Sequence, residues 1–176
     1  AIAVNSLLTS LNLSSNNLTN FGQDMSGILA IADALKSGSS VLTSVDVGYN
    51  GLDEEAALGI VRAVRKHDRM TNLGLARCGI GPTGAKEIAE YVQGSTVLKS
   101  LSVTRNDIGG EAAQQLATAA LGSKSLEVLS GVPIKELRED KHTELDLSDK
   151  GLGPTEGIVL AELESAERQV KLPAIS

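Results

Sequence analysis

The chain has 176 residues, enough for one domain of ordinary size. Apolar residues make up 41 % but aromatic residues only 2 % (Phe21, Tyr49 and Tyr91, with no Trp), so a core must be filled by Leu, Val, Ile and Ala, which suits thin stacked layers better than one thick core. The formal charge of −6 argues against a nucleic-acid grip, and no apolar run approaches the roughly 18 residues that cross a bilayer.

In chain order, the opening Ala1-Ile2-Ala3-Val4 has no cap character and reads as the tail of a preceding helix. It carries no signal peptide. The natural protein is therefore expected to continue upstream, or a neighbour to cover this end. The pattern L-x-x-L-x-L-x-x-N-x-L then appears as Leu8, Leu11, Leu13, Asn16 and Leu18. It returns as Leu42, Val45, Val47, Asn50 and Leu52, as Met70, Leu73, Leu75, Cys78 and Ile80, and as Leu98, Leu101, Val103, Asn106 and Ile108. A degenerate copy opens with Leu126 and Leu129 and loses the pattern at Gly131-Val132-Pro133. A last copy has His142 in the opening slot, then Leu145, Leu147, Lys150 and Leu152. The openings at 8, 42, 70, 98, 126 and 142 are separated by 34, 28, 28, 28 and 16 residues. Three equal steps with five matching slots, four apolar and one Asn or Cys, are the mark of an internal repeat.

Each full copy has two halves. The first alternates with period two, as a short strand does. The second carries helical stripes: Ile28, Ile31, Ala32 and Leu35; Ala57, Ile60, Val61 and Val64; Ala85, Ile88, Ala89 and Val92; Ala113, Leu116, Ala117 and Ala120. Asp53 and Thr83 are expected N-caps, Pro82 and Pro154 suit first helical positions, and Gly38, Gly94 and Gly122 follow the stripes as stops. A strand this short cannot bury its own Leu, so the copies must stack. The predicted fold is an α/β solenoid, a single domain over 1–176, with parallel strands on the concave side, helices on the convex side, and a charged C-terminal cap from 162 to 176.

These copies resemble the ribonuclease-inhibitor-like class of leucine-rich repeats, also found in NOD-like receptors and the Ran GTPase-activating protein. The resemblance covers about residues 4 to 165. It implies that the side chain in the Asn slot bonds the backbone of the strand-to-loop turn. Asn16, Asn50, Cys78 and Asn106 hold that slot as a ladder, and Lys150 departs from it.

The chemistry of enzymes finds little purchase here. Gly79-Ile80-Gly81-Pro82-Thr83-Gly84 matches a dinucleotide-binding pattern on paper, but Ile80 is a repeat slot and Pro82 removes an amide that a phosphate would need. His67 and His142 have no partner at metal spacing, and no nucleophile elbow is present. The reading is therefore no enzyme, no cofactor and no metal. Cys78 is a core ladder residue, expected to be buried and inert. As the lone cysteine it favours a reducing, intracellular, cytoplasmic setting. Without a signal peptide, the acceptor triplets at Asn12 and Asn17 read as chance.

Binding is better supported, because the pattern dictates which residues face out. Asn12, Asp46, Gly74, Ser102 and Asp146 form one concave column, with Ser10, Ser44, Asn72, Ser100 and Glu144 beside it. Ser15, Tyr49, Arg77, Arg105 and Asp149 form a third, just before the Asn slot. Tyr49, Arg77 and Arg105 are expected to stand in a row and to take an acidic segment of a protein partner, with Asp46, Asn72, Glu144 and Asp146 completing the face. The first copy exceeds the 28-residue step by six residues, around 19–26, and includes Phe21 and Met25. These either pack back on the first helix or make a rim loop for binding. The functional reading is a protein-interaction scaffold. The alternative is a structural subunit of a larger complex, and analogy alone adds a GTPase activator or an immune-sensor fragment.

Overall fold

The computed structural model describes residues 6–36, 41–66 and 69–171. Strands and helices alternate: β1 (Ser10–Asn12), α1 (Ser26–Lys36), β2 (Ser44–Asp46), α2 (Glu54–Arg65), β3 (Asn72–Gly74), α3 (Pro82–Gly94), β4 (Ser100–Ser102), α4 (Gly110–Gly122), β5 (Val128–Leu129), α5 (Ile134–Arg138) and α6 (Pro154–Lys171). The five strands form one parallel sheet in sequence order. Ser10, Ser44, Asn72 and Ser100 pair across it, as do Leu11, Val45, Leu73 and Leu101, and Asn12, Asp46, Gly74 and Ser102. This is the register that the 28-residue step imposes, because a slip of one residue would turn every Leu out to solvent. His67, Gly38 and Ala1-Ile2-Ala3-Val4 lie outside the described residues.

The helical stripes supply the other wall of the core. Ala57, Ile60, Val61 and Val64 of α2 are buried, as are Ala85, Ile88, Ala89 and Val92 of α3 and Ala113, Leu116, Ala117 and Ala120 of α4. Ala shares each buried helix face with Ile, Leu or Val, which keeps each layer thin. Burying one such aliphatic side chain contributes about 2 kcal/mol, so no layer stands alone and each depends on its neighbours.

Of the two expected N-caps, one is found and one is corrected. Asp53 does cap α2, its carboxylate accepting from the Ala56 amide at 2.8 Å. Thr83, however, lies inside α3, whose N-cap is Gly81. The missing acceptor comes from the preceding layer: Glu54 Oε1 takes the amides of Gly81 at 2.9 Å and Gly84 at 2.7 Å. A carboxylate there also faces the positive end of the helix dipole.

The copies opening at 126 and 142 contribute one sheet strand and one long helix between them. β5 pairs with β4, and α6 packs against α4. Between them the chain leaves the repeat at Ser130, which adopts a left-handed φ of 51°. In earlier layers the amides of Leu13, Val47 and Leu75 donate to the carbonyls of Asp46, Gly74 and Ser102. Val103 donates to the Ser130 hydroxyl at 3.1 Å instead. Val132 and Ile134 are fully buried, so this detour covers the core, and Ile134–Arg138 forms a short helix that no stripe announced. Leu145 and Leu147 join no strand of the sheet.

Every regular turn is tight. Gly79 has φ +62°, and a Cβ there would lie 2.8 Å from the Leu52 carbonyl oxygen. Gly79→Ala is expected to cost about 2 kcal/mol through the left-handed backbone and this contact. An unchanged urea midpoint would show that the turn relaxes freely.

Candidate functional site

The Asn slots tie consecutive layers together. Asn50 is buried. Its Oδ1 accepts from the amides of Asn16 at 2.9 Å and Leu18 at 3.2 Å, and its Nδ2 donates to the carbonyls of Leu13 at 2.8 Å, Val47 at 3.0 Å and Gly48 at 3.2 Å. Asn106 repeats the set with the amides of Cys78 and Ile80 and the carbonyls of Leu75, Val103 and Thr104. Asn16, in the first layer, is exposed and reaches only Leu13 and Ser14. Cys78 holds its slot with a thiol directed at the carbonyls of Val47 and Ala76.

Burial, with a smaller contribution from the nearby Asp46 charge, pushes the Cys78 thiol up to about 12. Little thiolate exists at neutral pH, and the thiol is inert in the folded chain. Because its folded value lies above the unfolded one, this stabilisation is complete below about pH 9 and is lost as pH rises through about 12. Iodoacetamide at pH 8 is expected to modify the sole cysteine only as fast as the chain opens. Labelling at the rate of a free thiol would contradict the burial.

The middle concave column is tethered to its own chain. Asn12 accepts from the Ser14 amide at 2.9 Å, Asp46 from Gly48 at 2.8 Å, and Asp146 from Ser148 at 2.9 Å. Asp146 also takes the Ser148 hydroxyl, and these two bonds hold its carboxyl below the usual carboxylate range. The Asp46 carboxylate overlies Gly74, where a Cβ would come within 2.3 Å of its carbon. That accounts for the Gly in this column. Asn72 and Glu144 are exposed. Glu144 lines a shallow cleft of about 340 Å³ with Leu145, Leu160 and Leu163 of the last layer.

The third column sits on strained backbone throughout. Ser15, Tyr49, Arg77, Arg105 and Asp149 all have φ between 51° and 59°. The amides of Ser15, Tyr49 and Arg77 donate to the carbonyls of Gly48, Ala76 and Thr104 in the next layer. All five side chains point out to solvent, and Tyr49 is 39 % exposed. Arg62 and Arg65 on the convex side are paired with Glu55, Glu87 and Glu90. Among the described residues, Arg77 and Arg105 make no salt bridge. The row is not uniform. Arg105 lies along Gly151 of the last layer, where a Cβ would stand 2.8 Å from its Nε.

Tyr49 and Arg77 instead share a cleft of about 510 Å³ with Asn17, Phe21 and Gly51. Phe21 comes from the long first loop. Thr19, fully buried, anchors that loop by donating to the Asn50 carbonyl at 2.5 Å. Met25 packs against the core while Phe21 remains 84 % exposed. Thr19 and Glu54, which fix the geometry of this region, escaped the sequence reading because neither sits in a repeat slot.

His142 meets Glu136 at 2.7 Å on the surface. Among the described residues no group of His, Cys, Asp or Glu is placed to hold a metal, and no helix is long and apolar enough to cross a membrane.

Comparison with known proteins agrees with the repeat. A family model described as Leucine Rich repeat matches residues 4–22, 70–89 and 94–117. Sequence search finds no match among curated proteins. Among solved structures, actin-binding site 2 of leiomodin-1 superposes with a TM-score of 0.60 at 16 % identity, over 95 % of this chain and 87 % of that one. The Caenorhabditis elegans tropomodulin C-terminal domain superposes with a TM-score of 0.63 at 10 % identity, over 96 % of this chain and 92 % of that one. At these identities the likeness concerns the fold.

Proposed function

We propose that this chain, whose copies match a leucine-rich-repeat family model over residues 4–22, 70–89 and 94–117, serves as a protein-binding scaffold without catalytic activity of its own, gripping its partner through the concave strand face. One observation carries the reading. In a chain of net charge −6, Arg77 and Arg105 are exposed, free of salt bridges among the described residues and aligned with Tyr49 on successive layers. Two cations on adjacent turns repel one another by a few tenths of a kcal/mol. An acidic partner segment relieves that cost, and Tyr and Arg are the residues that dominate interfaces. The structural relative named as an actin-binding site supports protein binding as a use of such a fold.

The test compares wild type with Tyr49→Ala/Arg77→Ala/Arg105→Ala, in a pull-down from cell extract and against purified actin. The triple variant is expected to lose retained partner by tenfold or more, about 1.4 kcal/mol or greater. Equal recovery by both chains would place the contact elsewhere. The second reading, a subunit fixed in a larger assembly with its first-layer end covered, draws on Leu7, 86 % exposed just ahead of β1. It is favoured if the isolated chain self-associates in sedimentation and Leu7→Ser abolishes this.

A further inference from the structure

The cleft between the first loop and the strand ends has features of a built site. Four non-glycine or glycine residues of that loop, Asn17, Asn20, Phe21 and Gly22, are left-handed. For a bulky ring such as Phe21 this is a strained backbone conformation. The loop nonetheless holds it there. The Phe21 amide donates to Asn17 Oδ1 at 2.7 Å, and the Gly22 amide to the Thr19 hydroxyl at 2.9 Å. Thr19 in turn donates to the carbonyl of Asn50, a rung of the ladder bonded into two layers. Close packing of Gly22 on the Gly51 carbonyl, where a Cβ would lie at 3.4 Å, seats the loop on the second layer. The ring is therefore exposed on an anchored backbone, the arrangement that lowers the entropic cost of binding.

Tyr49 lines the same cleft with Arg77, which makes no salt bridge among the described residues. We propose that this cleft takes an extended segment of a protein partner in which a large apolar side chain neighbours a carboxylate, the apolar group lying between Phe21 and Tyr49 and the carboxylate meeting Arg77. A volume of about 510 Å³ falls within the roughly 300–1,000 Å³ range of side-chain-binding clefts. The guanidinium offers the fork that carboxylates fill. The proposal rests on the protein-binding reading and narrows it to one end of the concave face, leaving Arg105 outside the cleft.

Selection of a random phage-displayed peptide library, run in parallel on wild type and on Phe21→Ala/Arg77→Ala, tests it. Peptides enriched only on wild type are expected to place an aromatic or large aliphatic residue within two positions of Asp or Glu. A fluorescein-labelled peptide of that consensus should lose about thirtyfold in affinity to Phe21→Ala and to Arg77→Ala and none to the convex-face variant Gln93→Ala. Both positions are exposed, so unchanged circular dichroism and melting will accompany the loss. Enriched peptides without acidic residues, or equal enrichment on both chains, overturn the cleft. If the cleft fails in this way while the triple concave variant still loses its partner, the scaffold reading stands and only its placement changes.

Discussion

Asn50→Ala is expected to lower stability by about 4 kcal/mol, a large share of what a domain of this size possesses. The side chain satisfies two amides and three carbonyls in two layers. Truncation orphans two buried carbonyls and three part-buried groups, and each fully buried orphan costs about 1–3 kcal/mol before relaxation. It also loosens the turn beneath Thr19. Asn16→Ala removes the first rung, which is exposed and bonds only its own layer, so it should cost less than about 1 kcal/mol. Urea unfolding of the two variants checks the contrast. Equal midpoints would mean that the ladder bonds are replaceable by water.

Val159→Asp is expected to detach the last layer. Val159 is fully buried on α6, and α6 packs against α4. A carboxylate placed there would lose its hydration without a partner, at several kcal/mol. In a solenoid, stability is a sum over layers and their interfaces, so damage at one end unravels that end first. Hydrogen exchange read by mass spectrometry should show protection lost from 128 to 165 and kept from 44 to 92. Loss spread evenly over the whole chain would mean that the layers unfold as one unit, contrary to nearest-neighbour coupling.

Why did some of this stand in the sequence and some not? Leu73 and Leu101 announce their strands because one buried face leaves one usable register, and the 28-residue step carries it from layer to layer. Asn50 and Asn106 are legible as rungs for the same reason. Glu54 is not, because a carboxylate at the first turn of a helix reads as an ordinary favourable charge. Only the stacked layers show that it serves the next helix and that Thr83 therefore need not. The openings at 126 and 142 match the pattern separately, yet pattern matching cannot see that α6 fills the place beside α4. Phe21 was open to two readings, since burial of a single ring in an inserted loop depends on backbone angles that no periodicity encodes. For Arg105, the row was a count of positions, whereas its contact with Gly151 comes from the irregular final layer.

The turn column has one last implication. At Ser15, Tyr49 and Arg77 the backbone is fixed by an amide bond to the following layer, while the side chain touches little of the core. Folding instructions and recognition instructions are therefore written in different atoms of the same residue. A hydroxyl, a phenol and a guanidinium already occupy equivalent places on one frame. Partner choice in such a molecule can be respelled letter by letter among the side chains that a left-handed backbone tolerates.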